Sequence, residues 1–371
     1  MKFLRILLFP VSFLYGLLLL LRNKLYDWGI FSSTEFKVLT ISVGNLTVGG
    51  TGKTPHIEYL IRLLSPEFYI ATLSRGYGRK TKGFVLADER STVADIGDEP
   101  LQFAVKFNNI PVAVDGKRVR GVKKLLGLFP MVQTILLDDA FQHRSIKPGL
   151  SIVLTEFGKL YFNDFVMPTG SLREFSSGIK RADIIIVTKC PEVLLPIERN
   201  RLIKEIKPLP HQHVYFSYIK YGEFLPLYTQ TINPFSKEYY FERHYSVVLL
   251  TGIANTQSLE YYLKDKVKTI IPVKFRDHHT FTKNDLEEVK KIFDNIASSN
   301  KIIVTTEKDA MRLRNPEFSD ILKQMPLFYI PIEIDFYDKD KNARLNDTVG
   351  QEFNEQIIHY VRTNQNNVSL H

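Results

Sequence analysis

Residues 47–54 read TVGGTGKT. Gly49, Gly50 and Gly52 let backbone N–H groups approach an anion closely, Lys53 adds a mobile positive charge, and the Thr54 hydroxyl can ligate a divalent cation. Together Thr47, Val48, Gly49, Gly50, Thr51, Gly52, Lys53 and Thr54 make a cradle for the phosphates of a nucleotide. The general phosphate-loop pattern has glycine at its first position, where this chain has Thr47. The donors survive that change, because the close approach can come from Gly49 and Gly50. The setting also fits, with a β-branched run, VLTISVGN, before the loop and an amphipathic stretch, TPHIEYLIRLL, after it.

A phosphate loop calls for a metal-binding carboxylate at the end of a second strand, and QTILLDDAFQHR supplies Asp138 and Asp139. Adjacent carboxylates repel each other unless a cation is present, which favours a metal over the alternative, an acidic cap on a following helix. In VADIGDEPLQF, Asp98 and Glu99 stand just before a helix opened by Pro100. They read either as helix caps or as a carboxylate that takes a proton from an attacking hydroxyl. FRDHHTF brings Asp277, His278 and His279, and spacing alone joins neither histidine to Asp98. Arg75 and Arg79, Arg118 and Arg120, and Arg173 beside Glu174 follow strand-like runs. At one sheet edge they can clamp phosphate; on an open surface they are ordinary solvated charges. The stretch IIVTTEKDAMRL carries a turn similar to the base-reading turn of some phosphate-loop proteins, a short and common pattern.

Apolar runs of strand length alternate with helical patterns from KVLTISVGN to ADIIIVTK, which predicts a doubly wound, mainly parallel α/β sheet over 31–214. The aromatic stretch VYFSYIKYGEFLPLYTQ reads as a linker ribbon over 215–240, and a second alternation predicts a smaller α/β domain over 241–371, with a frayed polar end, TNQNNVSLH. Residues 1–30 form the first segment: an apolar stretch from Ile6 to Leu21, flanked by Lys2 and Arg5 and by Arg22 and Lys24. It is shorter than the ~20 residues of a spanning helix, and no small-residue cleavage site follows. Cations at both ends predict a helix that lies in or dips into the cytoplasmic leaflet, the alternatives being a single spanning anchor or a buried helix of a soluble protein.

The chain has 371 residues, 44% of them hydrophobic, enough for one large core or two smaller ones. Its 49 Lys and Arg against 40 Asp and Glu give a net charge of +9, which fits an anionic membrane or a phosphorylated substrate; no nucleic-acid module accompanies the charge. A single cysteine, Cys190, excludes an internal disulfide framework and a cysteine-based zinc site, and it closes an apolar run as a packing residue.

Taken in order, SVGNLTVGGTGKTP, SRGYGR, GDEP, LDDAFQHR, GSLRE, DHHTF and TTEKDAMRL resemble the tetraacyldisaccharide 4'-kinases that make lipid A in Gram-negative bacteria. A non-glycine residue at position 47 is similar to that family's own version of the loop. The resemblance implies a lipid kinase on the cytoplasmic face of the inner membrane, using ATP and Mg2+ to phosphorylate the 4'-hydroxyl of tetraacyldisaccharide 1-phosphate and form lipid IVA. It implies Asp98 as catalytic base with His278 as its partner, Lys53 and Thr54 on the β/γ-phosphates and Mg2+, and Asp138 and Asp139 around the metal. Further polar roles fall to Glu99, Arg118, Arg173 and Glu174. The implied partners are the acylated lipid and the anionic membrane, without nucleic acid, and the expected state is a monomer. The competing class is a membrane-associated P-loop NTPase switch, which would turn nucleotide over without any lipid acceptor.

Overall fold

The computed structural model describes residues 8–228, 235–337 and 351–369. Strand β1 (Leu39–Asn45) is buried along its whole length and leads through the glycine-rich loop into helix α2 (Lys53–Leu64); helix α1 (Phe9–Asp27) precedes both. Burial on both faces explains why the strand reads as a continuous apolar and β-branched run. In α2, Ile57, Leu60, Ile61 and Leu64 recur at helical spacing and turn one stripe into the core. Each such side chain taken out of water contributes about 2 kcal/mol.

The chain continues through β2 (Ile70–Ser74), β3 (Val85–Leu86), α3 (Asp98–Lys106), β4 (Val112–Val114), α4 (Arg118–Leu128), β5 (Thr134–Asp138), β6 (Leu150–Glu156), β7 (Ile184–Cys190), α5 (Pro196–Ile206) and β8 (His213–Tyr221). A second unit holds β9 (Leu225–Pro226), β10 (Ser246–Thr251), α6 (Gln257–Lys264), β11 (Thr269–Lys274), α7 (Lys283–Asp294), β12 (Lys301–Thr306), α8 (Glu307–Leu313) and β13 (Leu327–Ile330). Then come β14 (Ile332–Phe336) and α9 (Gln351–Ser369). The large sheet has nine strands in the order β14-β8-β7-β6-β1-β5-β2-β4-β3, parallel throughout except at its two outer pairs. Five strands, β11-β10-β12-β13-β9, form the second sheet, of which only the β9 pairing is antiparallel. In the large sheet β1 sits between β5 and β6, with Val43 opposite Asp138, so the acidic strand end lies beside the start of the glycine loop.

The expected domain limits need correction at two places. Residues 215–221 of the expected ribbon belong to strand β8 of the large sheet, and 229–234 of it lie outside the described residues. The chain also returns from the second unit: β14 pairs antiparallel with β8, and α9 sends Phe353, Ile357 and Val361 into the first core, where Phe336 stacks on Phe353. Strand propensity was legible in both segments, but edge pairing depends on which sheet has an open edge, and that is a tertiary property. The polar end expected to fray is helical through Ser369.

Helix α1 is amphipathic in the reverse of the usual sense. Its small and polar positions face the protein: Ser12 donates to Thr169 at 2.7 Å, Asn23 donates to Glu174 at 2.7 Å, and at Gly16 a Cβ would lie 2.5 Å from the Phe175 ring. Phe13, Leu14, Leu17, Leu18 and Leu21 are exposed on the other side. No helix among the described residues is long and apolar enough to cross a membrane, and the flanking Lys2 and Arg5 lie outside them.

The two units are joined by apolar and charged contacts. Ile96 and Leu101 share a core with Val248, Leu250 and Met311 of the second unit. Beside it, Lys106 pairs with Glu58 of α2 at 2.7 Å and with Glu307 of α8 at 2.8 Å, while Gln102 donates to the same two carboxylates.

Candidate active site

The loop after β1 is held from both sides. Thr47 pairs with Leu172, and the Val48 N–H donates to the Ser171 carbonyl oxygen at 2.7 Å, so the first loop position is bridged backbone rather than a turn. Positive φ falls instead at Gly49 (123°) and Gly52 (91°), and at Gly49 and Gly50 an added Cβ would meet nothing within 4 Å. Thr47 therefore occupies a position where nothing requires glycine. Asn45 donates to the Thr51 hydroxyl at 2.9 Å and Thr188 to the Thr51 carbonyl oxygen at 2.9 Å. Buried His56 spans the Gly52 carbonyl oxygen at 2.7 Å and the Ser217 hydroxyl at 3.0 Å. Because a carbonyl only accepts, Nδ1 carries the proton; burial pushes the imidazole down to about 4, keeping it neutral. The loop thus delivers Lys53 and Thr54 at a helix N-terminus whose first N–H groups have no intrahelical acceptor.

Asp138 and Asp139 have different surroundings. Asp139 takes a left-handed backbone (φ 46°), and its carboxylate meets Arg173 at 2.8 Å and the Lys53 ammonium at 3.7 Å. Asp138 is buried, and its Oδ1 has no hydrogen-bond partner. Burial, then the nearby Glu99 and Asp139 carboxylates, push it up to about 7 against the pull of Lys53 and Arg118. An orphaned buried carboxylate oxygen is what a cation would satisfy. Among the described residues no cluster of three or more His, Cys, Asp or Glu could cage a metal. The donors fit a small, hard cation held by one or two carboxylates together with phosphate oxygens, not a resident metal.

Asp98 opens α3 behind Gly97, whose φ of 92° and whose approach to the Tyr77 carbonyl exclude a side chain. The structure brings Asp98 to His278: Nδ1 stands 3.3 Å from Oδ2, across the boundary between the two sheets. His278 sits in a left-handed conformation (φ 57°), and its ring lies against Tyr77. Its neighbour His279 points elsewhere, pairing with Asp285 at 2.9 Å and stacking on Phe275, so of the two histidines it is His278 that lies against Asp98. Burial alone would raise the Asp98 carboxyl; the His278 hydrogen bond, Lys308 and Arg312 outweigh it and hold the group well below the usual carboxylate range.

Other polar positions fall differently from the expectation. Arg118 is buried, and its two terminal nitrogens donate to the carbonyl oxygens of Asp115 (2.6 Å) and Asp138 (3.0 Å), so it braces two strand ends instead of reaching outward as a clamp. Glu174 is also buried and is occupied by Arg181 and Asn23, tying α1 to the loop that carries Arg173. Arg120 is paired with Asp115, and Arg79 donates to the Gly83 carbonyl oxygen. Glu99 meets Lys308 at 3.2 Å. Cys190 is buried, and burial pushes its thiol up to about 12. Sequence reasoning missed Lys308 and Arg312 as neighbours of Asp98. Their motif, TTEKDAMRL, was visible, but it pointed to a nucleotide base, whereas here it caps α8 and faces α3.

The arrangement combines a glycine-rich loop at a helix N-terminus, an unsatisfied buried carboxylate and a second buried carboxylate beside a histidine, groups of the kind that phosphoryl transfer to a hydroxyl can use. The family model for tetraacyldisaccharide-1-P 4'-kinase matches residues 4–350. A tetraacyldisaccharide 4'-kinase of Bacteroides thetaiotaomicron is 42% identical over 98% of this chain and 95% of its own length. One of Flavobacterium johnsoniae is 44% identical over 98% of this chain and 99% of its own. The crystal structure of LpxK from Aquifex aeolicus in complex with ATP shares the fold, with a TM-score of 0.71 at 24% identity over 96% of this chain and 99% of that one. By family model and by full-length relatives alike, the chain belongs to the tetraacyldisaccharide 4'-kinase family.

Proposed function

We propose that the protein transfers the γ-phosphoryl group of ATP to the 4'-hydroxyl of a tetraacylated glucosamine disaccharide 1-phosphate, forming lipid IVA at the cytoplasmic surface of the inner membrane. The observation that carries this reading is the buried Asp98 carboxylate set against His278, in a fold that also presents Lys53 and the unsatisfied Asp138. A nucleotide switch has no use for such a base, whereas a sugar hydroxyl needs one.

The loop N–H groups and Lys53 bind and align the phosphates, and Arg173, held by Asp139, keeps positive charge beside them. Thr54 and Asp138 would hold Mg2+, with Asp139 beside it, and would thereby bring in the positive charge that offsets the charge of the bound phosphates. As the new O–P bond forms and the bond to the ADP oxygen breaks, the hydroxyl proton passes to Asp98, with His278 aligning the carboxylate or receiving the proton onward. The exposed leucine face of α1 and the net charge of +9 give two weak membrane anchors, suited to an acceptor that stays in the bilayer.

Incubation with γ-labelled ATP and tetraacyldisaccharide 1-phosphate in mixed micelles should place label on the lipid. Label released only as inorganic phosphate, with or without lipid, would overturn the reading in favour of an NTPase.

A further inference from the structure

Asp98 divides its two oxygens between different neighbours. Oδ2 is met by Arg312 Nη2 at 2.5 Å, by His278 Nδ1 at 3.3 Å and by Lys308 Nζ at 3.6 Å. Oδ1 accepts the backbone N–H of Glu99 at 3.1 Å, a single weak donor. Arg312 is itself fixed: its side chain is 7% exposed, and Nη1 donates to the Gly252 carbonyl oxygen at 2.8 Å and to Asp309 at 2.9 Å. Asp309 is held in turn by the Gly252 N–H and the Thr306 hydroxyl. A planar guanidinium anchored through one nitrogen presents the other with little freedom. That second nitrogen also lies 3.1 Å from His278 Nδ1, so one group sets carboxylate and imidazole together.

We propose that Arg312, from the second unit, is a positioning residue that pins Oδ2 of Asp98 and leaves Oδ1 to face the acceptor hydroxyl. The inference rests on the kinase reading above. Oδ2, crowded by two cations and an imidazole, has little capacity left for a proton, whereas Oδ1 keeps a lone pair for the one released as the O–P bond forms. Arg312 belongs to α8 and Asp98 to α3, so the base is correctly aimed only when the two units are docked.

The groups facing Asp98 are Glu99 on its own helix, His278 with Asp277 and Tyr77 around it, and Lys308, Asp309 and Arg312 on α8. Two of them, Lys308 and Arg312, are cations. Without Arg312, burial is opposed by less positive charge and the carboxyl titrates higher. The base works only when deprotonated, so the acid limb of kcat/KM must move to higher pH.

The test uses the full-length protein and labelled lipid formation. Arg312→Gln should lower kcat by about 10- to 100-fold, leave the KM for ATP within about twofold, shift the acid limb upward, and regain activity with added guanidinium. Arg312→Lys should keep the acid limb near its original place yet recover kcat only in part, because one ammonium cannot hold both Gly252 and Asp98. Loss of kcat with an unmoved acid limb and no guanidinium rescue would make Arg312 a plain domain tie and overturn the proposal. Should the Gln variant fail to fold, Lys308→Gln must move the same limb in the same direction, and an unmoved limb again overturns it. Wild-type protein that labels no lipid would instead count against the kinase reading.

Discussion

Asp98 opens a helix of the first unit and His278 lies in the turn after β11 of the second, yet the imidazole Nδ1 stands 3.3 Å from the carboxylate Oδ2, close enough to act as one unit. Their joint action can be measured. Asp98→Asn and His278→Ala should each lower kcat by about 10²–10⁴ with little change in ATP affinity. The double variant should be little worse than the worse single one, as residues acting as a unit are strongly non-additive. Losses that multiply in a steady-state assay of lipid phosphorylation would show that the two act separately.

Asp138 carries the unsatisfied buried oxygen, whereas Asp139 is already engaged by Arg173 and Lys53. Asp138→Asn should therefore raise the Mg2+ concentration needed for half-maximal activity by at least about tenfold. Mn2+ binding, followed by electron paramagnetic resonance with a non-hydrolysable ATP analogue, should weaken in parallel. Asp139→Asn should act mainly on kcat through Arg173 and Lys53, and equal effects on metal binding from both substitutions would contradict the division of roles.

Glu307 lies buried against Glu58 and shares Lys106 with it, and burial followed by the Glu58 charge pushes its carboxyl up to about 7. An acid whose folded pKa is raised holds its proton in the folded state while the unfolded chain has already released it. Stability must then fall as pH rises from the unfolded pKa near 4.5 through about 7. Glu307→Gln removes this titration, so thermal melts across that window should show a flatter pH dependence and, at pH 8, a Tm no lower than wild type. A slope identical to wild type would locate the titration elsewhere.

The open face of α1 offers Leu14 and Leu18 at 60% and 67% exposure, so charge can be placed there without breaking contacts in the fold. Leu14→Glu combined with Leu18→Glu should leave the Tm within about 1–2 °C, consistent with substitutions away from packed contacts. Co-sedimentation with anionic vesicles should fall by more than about tenfold, since each buried leucine is worth about 2 kcal/mol. Activity on detergent-dispersed acceptor should persist. Undiminished vesicle binding would remove α1 as the anchor.

Thr47→Gly restores the general loop pattern and should bring no gain. Thr47 is buried and bridged to Leu172, so glycine there removes a packed side chain and also adds chain entropy to the unfolded state, the latter at a cost of about 0.5–1 kcal/mol. Urea denaturation should show that loss with an unchanged KM for ATP; a tighter KM would mean that the threonine limits the loop.

Much of the site was legible along the chain because its chemistry is local. A glycine loop between a strand and a helix, an acidic strand end, and a Gly-Asp-Glu-Pro helix start each declare their geometry over a few residues, and β1, α2, β5 and α3 place them as the patterns imply. The fate of the ionic side chains was not legible. From sequence Arg118 reads as a phosphate clamp or a surface charge, and the resemblance gives it and Glu174 polar roles at the site; in the structure both are buried and paired within the fold.

The sequence by itself determined the cradle, the pair of candidate acids, the charge balance and the two alternations of strand and helix, since these rest on residue type and short spacing. Tertiary structure decided which histidine meets Asp98, which aspartate keeps an unsatisfied buried oxygen, that Lys308 and Arg312 lie against Asp98, and that helix α9 returns to the first core. Each of those depends on docking surfaces distant in sequence, where the cost of burying a charge is met by a partner that no local pattern names.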